Sequence, residues 1–228
     1  MRLLMSFLRF AFHLLYHQFA WTYDLVAAVV SLGHWKAWVL SALPWLEGRV
    51  LEIGYGAGHL QLALHARGLA AFGLDESRQM ARQARRRLRR KGFPATLTRG
   101  YAQHLPFPSD AFETVVATFP AEYIFDAHTL AEARRVLVPG GRLVFLPTAW
   151  ITGNGFLERL AAWLFKVTGE AGAIESVIPG IHRSLLVSGF EVRHELVECP
   201  GSRVLVILAR KKNGCLPGTG DGIAMTGI

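Results

Sequence analysis

Between Arg49 and Leu60 the chain reads Arg-Val-Leu-Glu-Ile-Gly-Tyr-Gly-Ala-Gly-His-Leu: an apolar run holding Glu52, then glycines at 54, 56 and 58. Glycine lacks a Cβ and enters positive φ freely, so such a turn can set bare backbone against a ligand. A second acid, Asp75, ends the next apolar run (Ala70 to Leu74), 21 positions after Gly54. Strand, glycine turn, helix, strand, acid is how a βαβ unit holds a nucleoside. Which nucleoside, and for what chemistry, depends on the rest of the chain.

The elements that must position these residues alternate. Strands are expected at 49–53, 70–74, 95–99, 114–118 and 142–146, and helices at 59–67, 77–91 and 127–137. Gly68 and Gly92 end the first two helices, and Pro139-Gly140-Gly141 turns the third into the strand after it. Such alternation predicts an α/β fold, a doubly wound, mostly parallel sheet with helices on both faces. Upstream, a helix is expected from Leu25 to about Leu43, stopped by Pro44. The rhythm breaks at 149–180, read as a helical lid insertion with an aromatic helix at 156–166. A helix at 182–188 and strands at 190–195 and 203–210 follow, the two strands pairing antiparallel at one sheet edge. The division is therefore 1–46 as a helical cap, 47–212 as the main domain and 213–228 as a disordered tail.

The bulk numbers fit one domain of 228 residues with 51% hydrophobic content, a formal net charge of +8 and a positive mean hydropathy. That charge favours anionic partners, nucleic acid or an acidic membrane. Much of it lies at Arg82, Arg85, Arg86, Arg87, Arg89, Arg90 and Lys91, spacings that circle a helix. These form either a solvated face or a phospholipid- or nucleic-acid-facing patch. Cys199 and Cys215 are too few for a disulfide framework, which points to a reducing cytoplasm. No membrane-spanning run or signal peptide is expected. In residues 2–21, Arg2, Ser6, Arg9, His13 and His17 share one helical face against a broad aromatic one. This helix lies either in a bilayer interface or against the core or a second copy. His13 and His17 have no acidic or cysteine partner nearby, so no metal site is read there.

Four motifs in order carry a family resemblance. They are Val50-Leu-Glu-Ile-Gly-Tyr-Gly-Ala-Gly58, Gly73-Leu-Asp75, Tyr101-Ala-Gln-His-Leu-Pro-Phe107 and Glu132-Ala-Arg-Arg-Val-Leu-Val-Pro-Gly-Gly-Arg-Leu143. Across residues 22–210 the chain resembles the class I S-adenosylmethionine-dependent methyltransferases, which implies a seven-stranded Rossmann-like sheet with a reversed last strand. A nicotinamide oxidoreductase is the rival; it would favour G-x-G-x-x-G and gives no reason for Leu-Pro-Phe or Pro-Gly-Gly. A cofactor-free relative is a further alternative. By the resemblance, Gly54, Tyr55, Gly56 and Gly58 bring backbone to the methionine part of S-adenosylmethionine, and Glu52 orients its amino group. Asp75 accepts the ribose hydroxyls, Glu76 lines the adenine, and Ala102 and Gln103 flank the adenine edge. The family often has Asp or Asn where Tyr101 stands, which puts the usual contact to the adenine amino group in doubt. Thr118 and Phe119 are expected to bind the cofactor, and they lead the segment that bridges it to the acceptor. Glu122 and Tyr123 are candidate acceptor-site residues, and His104 is a candidate base. The product would be S-adenosylhomocysteine.

The leading segment, Trp21-Thr-Tyr23-Asp24 with Ser31 to Lys36, resembles ubiquinone/menaquinone-biosynthesis C-methyltransferases and bacterial phosphatidylethanolamine N-methyltransferases. That likeness sets Tyr23 over the cofactor and His34 and Trp35 near the mouth. With the aromatic helices it favours a lipophilic small-molecule or lipid acceptor, of quinone or phospholipid type, met at the inner face of a membrane by a peripheral cytoplasmic protein. A soluble small-molecule acceptor is the alternative. Nucleic acid is disfavoured, because Phe119-Pro-Ala-Glu stands where base-flipping enzymes carry N/D-P-P-Y/F. Acceptor atom and oligomeric state stay open.

Overall fold

A computed structural model describes residues 31, 33–120, 122–152 and 170–212. The expected helices at 2–21 and 156–166, the segment holding Tyr23, His13 and His17, and the tail from 213 lie outside the described residues. The elements in order are α1 (Trp35–Leu40), a 3-10 turn (Leu43–Trp45), β1 (Arg49–Ile53), α2 (His59–Ala66), β2 (Ala70–Asp75), α3 (Arg78–Arg90) and β3 (Leu97–Arg99). After these come β4 (Phe112–Thr118), a 3-10 turn (Glu122–Phe125), α4 (Ala127–Val136), β5 (Leu137–Ile151), α5 (Glu170–Val187), β6 (Phe190–Cys199) and β7 (Ser202–Lys211).

The strands form one seven-stranded sheet in the order β3-β2-β1-β4-β5-β7-β6. All pair parallel except where β7 runs antiparallel to β5 and β6. The period-two alternation of each strand feeds two separate cores. Leu51, Ile53, Val115, Ala117, Leu143, Phe145 and Ile207 pack on one face beneath α4 and α5. Val50, Val116, Val144, Leu146, Val204 and Val206 pack on the other beneath α1 and α2. With both faces covered, the middle of each central strand is apolar. Glu52 and Thr114 are buried polar exceptions, Glu52 standing in line with Val50 on the α1/α2 side.

Several boundaries move, each for a physical reason. The helix expected over 25–43 does not run through Gly33, whose φ of +84° is left-handed. Its described part ends at Leu40, and Pro44 sits in the 3-10 turn, where a missing N–H is tolerated. β5 runs on through the expected Pro139-Gly140-Gly141 turn, which survives as a bulge. Phe112 pairs with Leu137 and Thr114 already pairs with Arg142, so the residues between are looped out, with Gly140 at φ +73°. Residues Ala149 to Ile151, assigned above to the lid, instead pair with Val204, Arg203 and Ser202 of β7. The helix expected at 182–188 begins at Glu170, with Pro179 inside it. Pro200-Gly201, at Gly201 φ +66°, closes the β6–β7 hairpin, and both strands are longer than expected. The arginines of α3 do not circle the helix. Arg87 turns in to the Ala57 carbonyl while Arg82, Arg85, Arg86, Arg89 and Arg90 stay exposed.

Candidate active site

From β1 the sheet order runs one way through β2 and β3 and the other way through β4 and β5, so a crevice forms beyond the carboxyl ends of β1 and β4. Ile53, Asp75 and Thr118 end the three strands at that edge. The glycine turn crosses it, pinned by Gly54 N–H to the Leu74 carbonyl at 2.7 Å and Gly58 N–H to the Tyr55 carbonyl at 2.9 Å. The cavity above the turn is lined by Glu52, the turn from Gly54 to Ala57, His59 and Leu60 from α2, Thr118, and Trp35 and Val39 from α1.

The three glycines do different things. All have positive φ, at +75°, +49° and +80°. A Cβ on Gly58 would lie 2.8 Å from the Ala84 Cβ, so this glycine lets α2 start against α3. A Cβ on Gly54 would lie 2.7 Å from the Tyr123 hydroxyl, which reaches over the turn from the other side of the crevice. A Cβ on Gly56 would meet nothing within 4 Å. Gly56 is thus the position where bare backbone faces open cavity, the cradle a nucleoside cofactor needs.

Asp75 secures that cradle. Its Oδ2 accepts the Gly56 N–H and its Oδ1 accepts the Ser77 N–H, both at 2.8 Å. Each oxygen keeps a second lone pair for a ribose hydroxyl. Burial pushes its pKa up, against the pull of the two N–H donors. Gly100 N–H reaches the Asp75 carbonyl at 3.2 Å, which brings the Tyr101-Ala102-Gln103 segment alongside. Ala102 is buried there, Gln103 half-buried, and the Tyr101 side chain 63% exposed. Glu76 is exposed as well, with its carbonyl bonded by Arg99.

Glu52 is wholly buried, and the lost hydration pushes its carboxyl up to about 8. Gln61 holds it. Its Nε2 donates to Glu52 Oε2 at 2.9 Å and to the Phe72 carbonyl at 3.0 Å, so one amide ties the β1 carboxylate to the β2 backbone. Gly73 makes room, because a Cβ there would come within 2.7 Å of the Tyr55 ring and 3.3 Å of the Gln61 amide carbon. Tyr55 contributes backbone to the cavity, while its ring packs with Ala81, Ala84, Leu88 and Leu97 under α3. His59 and Gln61 were missed by the sequence reading; the available signal was their position in the first turn after the glycines.

The expected acceptor side is partly assembled. Phe119 has φ +50°, a strained value for a bulky residue, and packs against Trp35 and Trp38 at centroid distances of 4.9 and 6.0 Å. Trp35 therefore lines the cavity as expected, whereas His34 stacks on Trp38 and does not line it. Of the Glu122 side chain nothing is described. His104 is exposed beside Glu132 and is not among the residues lining this cavity. The Leu-Pro-Phe motif around it is clamped to α4 instead. Glu132 accepts the Leu105 N–H at 2.7 Å, and Arg135 donates to Glu132 and to the Leu105 and Phe107 carbonyls. The third and fourth motifs occur together because one holds the other.

Residues 50–141 match the model of a methyltransferase domain family. The chain is 34% identical over 207 residues to the demethylmenaquinone methyltransferase of Thermus thermophilus, covering 80% of this chain and 94% of that one. The chain belongs to the class I S-adenosylmethionine-dependent methyltransferases. The enzyme is also 34% identical over 169 residues to the demethylmenaquinone methyltransferase of Deinococcus radiodurans, covering 66% of this chain and 69% of that one. Among solved structures, the YcgJ protein of Bacillus subtilis superposes with a TM-score of 0.58 at 16% identity, over 78% of this chain and 99% of that one, and shares the fold. S-adenosylmethionine is the cofactor, and the nicotinamide reading drops out. The open face at Gly56, the two lone pairs left on Asp75 and the buried acid at Glu52 fit its backbone, ribose and ammonium demands.

Proposed function

We propose that this methyltransferase acts on a lipophilic quinone-type acceptor. The observation that carries the reading is the extent of the likeness to the Thermus thermophilus enzyme, which runs beyond the cofactor-binding residues 50–141 over 94% of that chain. The composition of the cavity agrees with it. Trp35, Val39, Leu60 and the neighbouring Phe119 give an apolar wall of the kind that buries a flat ring or a hydrocarbon tail.

S-adenosylmethionine supplies an electrophilic methyl group on sulfonium sulfur. The chain's own part is to align, desolvate and exclude water, which suffices for an in-line displacement without a covalent enzyme intermediate. We assign Glu52 to the cofactor ammonium, Asp75 to the ribose, and Gly56 to the close backbone approach. Tyr55 and Gly58 shape the turn, while Tyr101, Ala102, Gln103 and Glu76 border the adenine side. Thr118, Phe119 and Tyr123 face the acceptor. His59 stands in the cavity wall where a ring proton could be received, a better-placed base than His104.

The tail decides between acceptors. Turnover with a reduced demethylated quinone bearing an isoprenoid tail should exceed that of its tailless analogue in kcat/KM by at least tenfold, the scale of burying a few methylenes. Equal turnover of the two, or methylation of phosphatidylethanolamine in place of either, would sink the quinone reading.

A further inference from the structure

Helix α3 carries charge that its own packing does not use. From Arg78 to Arg90 it holds seven arginines and no acid. Arg87 turns inward to the Ala57 carbonyl, and Met80, Ala81, Ala84 and Leu88 fill the sheet side. The other six, Arg78, Arg82, Arg85, Arg86, Arg89 and Arg90, are exposed. Their spacings of four, three, one, three and one set them in a single stripe along the outer face. Arg85 lends one N–H to the Leu97 carbonyl. None of the six forms an ion pair with a carboxylate among the described residues.

This stripe works against its own helix. Arg78 with Arg82, Arg82 with Arg86, Arg85 with Arg89, and Arg86 with Arg90 place like charges at i and i+4, an arrangement that destabilises a helix. Arg78 also stands in the first turn, at the positive end of the macrodipole, with no acid there to offset it. Only Arg89 and Arg90, in the last turn, gain from the dipole. A face that opposes its own helix needs its negative charge from outside.

We propose that the arginine stripe of α3 docks the enzyme on the surface of an anionic lipid bilayer, an inference that rests on the lipophilic-acceptor reading above. The stripe carries no aromatic side chain, so it lacks the stacking platform on which single-stranded nucleic acid is held. Arginines on long stems against a fluid anionic plane require no register, and their contributions add through the surface potential. The stripe begins three residues after Asp75, so docking sets the cofactor site within about one helix length, roughly 20 Å, of the phase that holds the acceptor.

Co-sedimentation of the full chain with vesicles of phosphatidylcholine alone, and of phosphatidylcholine mixed with phosphatidylglycerol, tests this. The wild-type chain is expected to sediment only with the mixed vesicles and to be released as added salt shortens the Debye length. Replacing Arg82, Arg86 and Arg89 together by glutamine should weaken that binding roughly a hundredfold, about fivefold per arginine. Replacing the same three by lysine should preserve it. The glutamine variant loses like-charge pairs, so it should melt no lower than wild type and should methylate a detergent-solubilised acceptor at the wild-type rate. Undiminished vesicle binding by the glutamine variant overturns the proposal, as does equal binding of wild type to both vesicle types. Wild-type binding to DNA or RNA with none to vesicles overturns it too. Vesicle binding that follows the arginines, in an enzyme that methylates no solubilised lipophilic acceptor, supports the docking face and overturns the acceptor reading instead.

Discussion

Glu52 titrates in a place where water does not reach it. An unfolded chain would release this proton near 4.5, and burial in the folded protein holds it to about 8. Between those values the folded state binds more protons than the unfolded one. The stability contribution is therefore full below the lower value and lost as pH rises through the higher one. Asp75, shifted the same way, adds to the slope. The melting temperature of the ligand-free enzyme should fall across that window, and Glu52→Gln should remove most of the fall; an unchanged slope in the variant would contradict the assignment. A cofactor ammonium at Glu52 favours the carboxylate, so binding should release protons and its calorimetric heat should depend on the buffer. The glycines separate by substitution. Gly56→Ala should cost only about 1–2 kcal/mol of stability yet weaken S-adenosylmethionine binding at least tenfold, since its methyl enters the space of the ligand. Gly58→Ala should instead lose about 1–3 kcal/mol by forcing α2 from α3, read by denaturant unfolding. The sequence shows that glycines fall on alternate positions. It does not show which of them faces cavity, because that depends on Ala84 and Tyr123, brought in by distant elements. Gln61 was hidden likewise: glutamine on a helix reads as surface until Phe72 and Glu52 close around it.

At the scale of elements, the strands and helices from 49 to 137 were legible because period-two and helical runs are cleanly punctuated by Gly68, Gly92 and Pro94. The C-terminal half was harder. Pro139-Gly140-Gly141 reads as a stop, yet the chain absorbs it as a bulge, and Pro179 reads as a breaker within a helix that continues past it. The attachment of α1 could not be read, since beside its apolar packing it has a polar tie between residues 164 positions apart, from Trp38 Nε1 to the Ser202 hydroxyl at 2.8 Å. Both groups are buried, so Ser202→Ala should leave the indole N–H unpaired and cost about 1–3 kcal/mol. Because α1 also carries Trp35 into the cavity, the same variant should weaken cofactor binding, measured as a right-shifted titration of intrinsic tryptophan fluorescence. Loss of stability with unchanged affinity would show that α1 does not set the cavity wall. The strain at Phe119 belongs here too, for the packing of β4's end against α1 holds that backbone at φ +50°.

For the whole molecule, one sheet with a core on each face places the carboxyl ends of β1, β2 and β4 together and leaves acceptor choice to whatever covers them. Among the described residues no helix is long and apolar enough to cross a membrane. The strand–helix alternation made the parallel part of the sheet readable from the sequence, while the reversed β7 was expected from the short link between the last two strands and from the family resemblance. The sidedness of the charge follows from the spacing of six arginines once Arg87, which turns inward to the Ala57 carbonyl, is set apart. Ring methylation is read out by a single-turnover incubation of enzyme, methyl-labelled S-adenosylmethionine and a reduced, isoprenoid-tailed demethylated quinone, with both products followed by mass spectrometry. One labelled methyl on the quinone ring is expected for each S-adenosylhomocysteine formed, with both products forming several-fold more slowly in Gly56→Ala at a cofactor concentration near the wild-type Kd. S-adenosylhomocysteine appearing with the label on water or on another lipid, or an undiminished rate in Gly56→Ala at that concentration, would contradict this reading.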